Sequence, residues 1–298
     1  MKASHLLLAV LITAIWGFNF SVIKLGLQSV DPFILAGIRF TLCALPMVFF
    51  IRFPQVAIGY VITYGLLFGV GLWSIVNLGI QAGLSAGIAS LVLQFSAFFT
   101  ILLGALVFHE SISKYQYAGI AIALLGLGLI INITDGTVTL VGIALVIFGA
   151  LCWSLANIVI KKAGTKEVFA FLVWSSLFSP IPLFLIAYLQ HGPEIYVRTL
   201  AQIDNAAIFS ILFQAYPTTL IGYWIWNSLL KTYPVSTVAP LSLLVPVFGL
   251  LGSALIFSEQ IGLSKGVAAA LIILGLVVGL YGKQLVAAVQ GSAQRSQA

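Results

Sequence analysis

The sequence predicts an all-α polytopic membrane protein, with about ten transmembrane helices in two inverted five-helix repeats. Three observations predict it. The chain is 61% hydrophobic and 7% charged, with a mean hydropathy of +1.17. A soluble domain carries about 25% charged residues, and a chain this apolar needs lipid around it. Apolar runs of about 20 residues, the length that crosses hydrocarbon, recur along the sequence. The two halves also echo each other.

Taken in order, the runs lie near His5–Leu27, Pro32–Ile51, Val56–Ile80, Ser85–Phe108, Tyr115–Ile131, Leu140–Lys161, Val168–Leu189, Ala206–Leu230, Val235–Phe257 and Ser264–Tyr281. Loops are short except Gln190–Asn205, which carries His191, Pro193, Glu194, Arg198 and Asp204. The first run follows Lys2 as a signal peptide would. It contains Trp16 and Asn19, is too long for a signal core and has no small-x-small cleavage site, so it reads as a retained span. Only helices or closed barrels satisfy their backbone in lipid; alternating strands are absent, which selects a helical bundle. Cys43 and Cys152 both lie inside apolar runs, so no disulfide is expected.

The echo is specific. Trp16, Asn19 and Lys24 in the first run match Trp153, Asn157 and Lys161 in the sixth, with the asparagine one position later. Ser90 to Glu110 aligns without gaps to Ala239 to Glu259, sharing Phe99/Phe248, Leu102/Leu251, Ala105/Ala254, Leu106/Leu255, Phe108/Phe257 and Glu110/Glu259. This divides the chain into a first five-helix repeat, 1–138, and a second, 139–298. Five spans is an odd number, so the second repeat is upside down relative to the first. Inverted repeats are typical of secondary transporters, with substrate near the midplane between them.

Charge sets the orientation. The formal net charge is +6, but the cations are scattered over short loops, which argues for topology rather than a nucleic-acid partner. With the N-terminus inside, the inner segments hold Lys2, Arg52, Lys114, Lys161, Lys162, Lys166, Lys231, Lys283 and Arg295; the outer loops hold only Arg198 and Lys265. That bias places both termini in the cytoplasm.

No Asp, Glu or His occupies the middle of a run. This argues against a buried-carboxylate proton relay and against an intramembrane hydrolase, which needs a base beside its nucleophile. No catalytic residue, cofactor or metal site is expected. The deepest charge is Arg39. Burying it costs about 2.5–3.5 kcal/mol on the insertion scale, so it faces the protein interior. There it either holds a substrate carboxylate or pairs with helix carbonyls or Asp31. Trp16 with Asn19, Trp73 with Asn77, and Trp153 with Asn157 are helical-turn neighbours that share a face. With Gln94, Tyr223 and Ser242 they describe a neutral cavity of indole, phenol and amide groups, since amides turned to lipid would be left unsatisfied. Packing bonds between spans are the competing use of each amide. Pro217, Pro240 and Pro246 are each expected to remove an interior helix bond and to act as hinges. Gly65-xxx-Gly69 and Gly275-xxx-Gly279 allow close helix contact, read as packing within the chain rather than a dimer seam.

Trp16-Gly17-Phe18-Asn19-Phe20, Ala36-Gly37-Ile38-Arg39-Phe40, Ala86 to Glu110, and Val238-Ala239-Pro240-Leu241-Ser242-Leu243-Leu244-Val245-Pro246 together resemble the EamA family of drug/metabolite transporters, over essentially the whole chain. The family's motif positions fall on Trp16, Asn19, Arg39, Gln94 and Pro240. The resemblance implies a bacterial inner-membrane exporter with a central cavity between the halves, moving amino acids or small metabolites such as cysteine or O-acetylserine by alternating access. The alternative is a broader multidrug or polar-metabolite carrier on the same scaffold. The expected partners are a small-molecule substrate and the lipid bilayer. The sequence assigns no oligomeric state.

Overall fold

The computed structural model describes residues 1–295; at 235, 236, 285 and 287–295 it describes backbone alone, so Arg295, used above for orientation, lies outside the described side chains. Among the described residues ten helices are long and apolar enough to cross a membrane. They are span 1 (Ala3–Gly26), span 2 (Pro32–Phe49), span 3 (Ile58–Gln81), span 4 (Ala86–Phe108), span 5 (Lys114–Ile131), span 6 (Leu140–Ala163), span 7 (Val168–His191), span 8 (Asn205–Thr232), span 9 (Ala239–Phe257) and span 10 (Leu263–Gln284). The longest predicted loop holds a short amphipathic helix, Glu194–Gln202.

Span starts carry the capping chemistry that unpaired first-turn N–H groups require. Asp31 accepts from Phe33 and Ile34 N–H, Ser85 from Ile88, Thr139 from Gly142 and Asp204 from Ala207. Ser113 and Gln116 form a reciprocal capping box.

Bonds between span ends sort the ends into two faces. On the N-terminal face His5 meets Tyr233, Lys161 meets Glu110, and the Gln55 N–H donates to Glu167. On the far face Lys24 meets Glu259, Ser29 donates to Asp204, Lys265 meets Asp135, and the Ser85 N–H donates to the Thr137 carbonyl. Span 1 therefore runs away from the N-terminal face and span 6 runs toward it.

The irregular points recur at matching places. Span 4 breaks at Gln94 between Ala86–Leu93 and Phe95–Phe108; span 9 passes from a 3-10 turn, Ala239–Leu243, to an α-helix, Leu244–Phe257. The ungapped alignment sets Gln94 against Leu243. It also sets His109 against Ser258, and both of these cap their spans in the left-handed region, at φ 54° and 53°. Spans 3 and 8 each contain a π-helix, Leu66–Ser74 and Gln214–Ile221.

Glycine lets the spans approach closely, within the chain as predicted. A Cβ on Gly65 would lie 2.2 Å from the Ser175 carbonyl oxygen, and one on Gly275 would lie 2.5 Å from that of Gly119. Span 3 is thus pressed on span 7, and span 10 on span 5.

Candidate functional site

A cavity of about 540 Å³ lies between the halves, a size that takes a small molecule. Its lining is rich in aromatic rings: Trp16 and Phe20 of span 1, Tyr64 and Trp73 of span 3, and Tyr223 of span 8. Trp16 packs on Tyr223 and Trp226 at 5.3 and 5.1 Å between ring centroids, and Phe20 on Trp73 at 6.1 Å. The polar lining is neutral: Gln94, Ser96, Thr100, Asn157, Thr218, Asn227 and Ser242. Among the described residues no lining residue is charged.

The lining comes from one end of the bundle. Span 6 contributes Trp153, Asn157 and Ile160 from its last part, span 7 contributes Val168 and Leu172 from its first turns, and span 10 contributes Leu276 and Leu280 near its end. All of these ends lie at the N-terminal face. The cavity therefore reaches from mid-bundle toward that face.

The far half is closed by small residues. A Cβ on Gly249 of span 9 would lie 2.6 Å from Ser90 Cβ of span 4, and one on Gly87 would lie 3.1 Å from Leu250 Cα. A Cβ on Gly17 would lie 2.6 Å from the Val245 carbonyl, so span 1 joins the same seam. Above it Lys24 and Glu259 pair at 2.7 Å. Burial alone would raise the Glu259 carboxyl, but hydrogen bonds from Lys24, Ser253 and Ser85 outweigh it and hold the group below its ordinary value. The equivalent pair on the N-terminal face, Lys161–Glu110, has side chains 52% and 54% exposed, against 32% and 12% for Lys24–Glu259. Positions matched by the ungapped alignment thus sit in opposite surroundings. Ser90 and Gly249 are packed together, while their counterparts Ala239 and Thr100 both line the open cavity.

Seven of the ten residues expected at the site line the cavity: Trp16, Trp73, Gln94, Trp153, Asn157, Tyr223 and Ser242. Trp16 Nε1 donates to the Thr218 carbonyl at 2.9 Å, and Asn157 Nδ2 to Thr100 Oγ1 at 3.3 Å. Asn19, Asn77 and Arg39 are not in the lining. Asn19 is buried in the seam between spans 1 and 8, where its Oδ1 accepts from Thr218. Asn77 donates to the Pro32 carbonyl. Arg39 lies behind the wall, 1% exposed, with its Cζ 4.3 Å from the Trp73 ring centroid. Asp31, one of the partners considered for it, instead caps span 2 and faces His191 at 3.3 Å.

Of the prolines, only Pro217 sits inside a helical segment, the π-helix of span 8. Pro240 and Pro246 fall in the first turns of the 3-10 and α segments of span 9, where an N–H has no intrahelical partner to lose. The expectation of three lost interior bonds is corrected to one. The sequence reading also passed over Phe20, Tyr64, Thr100 and Trp226. Trp226 was findable at i+3 from Tyr223; Trp224, one step off that face, is 58% exposed.

Ten membrane-crossing helices around an uncharged central cavity, with its lining drawn toward one face, define a multi-pass helical membrane transporter. The chain belongs to the EamA-like transporter family, whose sequence model matches it twice, over residues 3–132 and 140–281. It is 38% identical to a protein of Escherichia coli (strain K12) and 39% identical to one of Salmonella typhimurium, each named "Probable amino-acid metabolite efflux pump". Both alignments cover 92% of this chain and 94% of the relative. An Archaeoglobus fulgidus protein named "Uncharacterized transporter" is 27% identical over 88% of this chain and 94% of its own. A solved crystal structure superposes with TM-score 0.62 at 17% identity, covering 94% of this chain and 98% of that one, a likeness of fold.

Proposed function

We propose that this protein exports amino acids or their small metabolites, of the cysteine or O-acetylserine kind, across a bacterial inner membrane by alternating access. The two family matches are read as inverted repeats, 1–138 and 139–298, with both termini in the cytoplasm. One observation carries the reading. Ser90 and Gly249 are packed together on the far side, while the equivalent Ala239 and Thr100 both line the cavity. Exchanging the two arrangements would close the N-terminal side and open the far one, which is the motion an inverted repeat permits. On the orientation read from charge, the cavity faces the cytoplasm and is ready to load. Its indole and amide walls suit a small zwitterion with an apolar part, and the names of the two enterobacterial relatives agree with that class. The hinge roles of Pro217, Pro240 and Pro246 and the substrate contacts of the lining residues belong to the same proposal.

The test uses proteoliposomes preloaded with labelled L-cysteine, O-acetyl-L-serine or a fluorescent dye. Faster efflux of the amino acids supports the reading, and release of dye alone moves the assignment to the multidrug alternative. A Thr100→Cys/Ala239→Cys cross-link should stop efflux and reduction should restore it. Undiminished efflux from the cross-linked chain would sink alternating access along this seam.

A further inference from the structure

Arg39 is the charged residue that the cavity does not use. It is 1% exposed in the middle of the bundle, and no acid lies within ion-pair distance of it among the described residues. Its partners are neutral and few. Nε and Nη2 donate to the single Thr219 hydroxyl oxygen at 3.3 and 3.0 Å, and Nη1 reaches Gln214 Oε1 at 3.4 Å. A guanidinium has five N–H donors, so two are left over. Its flat faces lie against rings, Trp73 at 4.3 Å and Phe40 at 5.2 Å.

Two further donors are buried without an acceptor on the neighbouring spans, Trp73 Nε1 and Asn19 Nδ2; Asn77 Oδ1, one turn from Trp73, is a buried acceptor without a donor. Asn19 is tied through its oxygen to Thr218, the neighbour of the threonine that holds Arg39. The guanidinium thus has spare donors and a positive charge, with no acid beside it among the described residues. A carboxylate is the chemical complement, because its two oxygens accept a parallel pair of N–H bonds from guanidinium.

Trp73 stands between Arg39 and the cavity: it lines the cavity and carries the guanidinium over its ring. The residues that hold or cover Arg39 come from two π-helices, Trp73 from Leu66–Ser74 and Gln214 and Thr219 from Gln214–Ile221. A π-turn holds one more residue than an α-turn, so relaxing it rotates the side chains beyond it.

We propose that Arg39 is the carboxylate subsite for the transported zwitterion. Trp73 screens it in this conformation, and it is uncovered when the π-segments rearrange during the transport cycle. The proposal rests on the amino-acid reading above and adds the group that selects for a free carboxylate. The neutral cavity walls take the rest of the substrate, and a compound without a carboxylate leaves the guanidinium unpaired.

The test is equilibrium binding of labelled L-cysteine to the full chain purified in detergent, with unlabelled L-cysteine and L-cysteine methyl ester as competitors. The wild-type chain should bind the ester at least about tenfold more weakly than the acid. Arg39→Gln should bring acid and ester to equal, weak affinity, and Arg39→Lys should restore part of the preference. Equal competition by acid and ester in the wild-type chain overturns the proposal, whether or not Arg39→Gln folds. So does a folded Arg39→Gln chain that keeps the preference, and in that case the amino-acid reading survives. A wild-type chain that binds neither compound removes the amino-acid reading and this subsite with it.

Discussion

Gly249→Ala should shift the protein toward a form open on the far face. The new Cβ would lie 2.1 Å from Ser90 Oγ and 2.6 Å from Ser90 Cβ. The hydroxyl can turn away, although doing so breaks its 2.7 Å bond to the Gly87 carbonyl. The Cβ cannot turn. Ordinary contact begins at 3.4 Å, so spans 4 and 9 must part by 3.4 minus 2.6, or 0.8 Å. Overpacking of that kind costs about 1–3 kcal/mol. The cost falls on the far-closed form alone, because the seam is already parted in the other. The ratio of far-open to far-closed molecules should therefore rise roughly 5- to 150-fold. The reporter is Ser253→Cys, a 2% exposed position facing Gly87 across the seam, in a chain with Cys43 and Cys152 changed to serine. A membrane-impermeant maleimide added at the far face should label it faster by that factor when Gly249→Ala is present. An unchanged labelling rate in a correctly inserted chain would refute the idea that this seam is the moving part.

Two further outcomes follow from the packing and the charges. Gly119→Ala should lower stability by about 1–3 kcal/mol, because its Cβ would meet backbone on span 10, at 2.4 Å from the Gly275 oxygen and 2.6 Å from Gly279 Cα. Gly128→Ala on the same span meets nothing within 4 Å and should be neutral or gain up to about 1 kcal/mol of helix propensity; thermal melting in detergent separates the two. The second outcome concerns acid. Slight burial would raise the Asp135 carboxyl, but hydrogen bonds from Lys265 and Thr137 and the Lys265 charge bring it from 3.8 to about 2. A depressed carboxyl stabilises fully above its ordinary value and loses that contribution as the pH falls through its folded value. The melting temperature should therefore drop between pH 4 and pH 2, and Asp135→Asn should flatten that slope while melting lower at pH 7.

The residues that make spans were legible because hydrocarbon punishes any break in apolar length, and all ten predicted starts lie within four residues of the observed ones, nine of them within two. The amides show where legibility ends. Asn19 and Asn157 both turn inward, as the sequence required. Inward, however, includes packed seams as well as the cavity, and only the fold sends Asn19 to Thr218 and Asn157 to the open wall. Periodicity would have separated Trp226 from Trp224, since lipid-facing and cavity-facing positions lie a step apart on span 8. The prolines of span 9 were misread because a first-turn proline looks interior until the break near Leu243 is known. The difference between the two faces had no sequence signal: the two aligned stretches, Ser90 to Glu110 and Ala239 to Glu259, are alike in sequence, and only the fold packs one pair of positions together and sets the other along the cavity.

That asymmetry also gives the irregular helices a reason. A π-turn, a 3-10 turn or a break at Gln94 leaves backbone groups poorly paired, which lipid does not tolerate; here these segments face the cavity or neighbouring spans. Trp16 shows the compensation directly, since its indole N–H takes up the Thr218 carbonyl inside the proline-containing π-segment. Straight helices would cost less, but they would fix each face in one arrangement. A span jointed at its middle lets one half stay packed, as Ser90 is on Gly249, while the other half stands open at Thr100. The joints lie in spans 3, 4, 8 and 9, and on the inverted-repeat proposal whatever motion they allow on one face they allow, inverted, on the other. The lysine–glutamate pairs fit the same logic. Lys24–Glu259 and Lys161–Glu110 are both formed here, one half-buried and one exposed. On the alternating-access proposal they are therefore not latches that must break in turn: they tie span 1 to the end of span 9 and span 6 to the end of span 4, and the opening falls to the seam between spans 4 and 9.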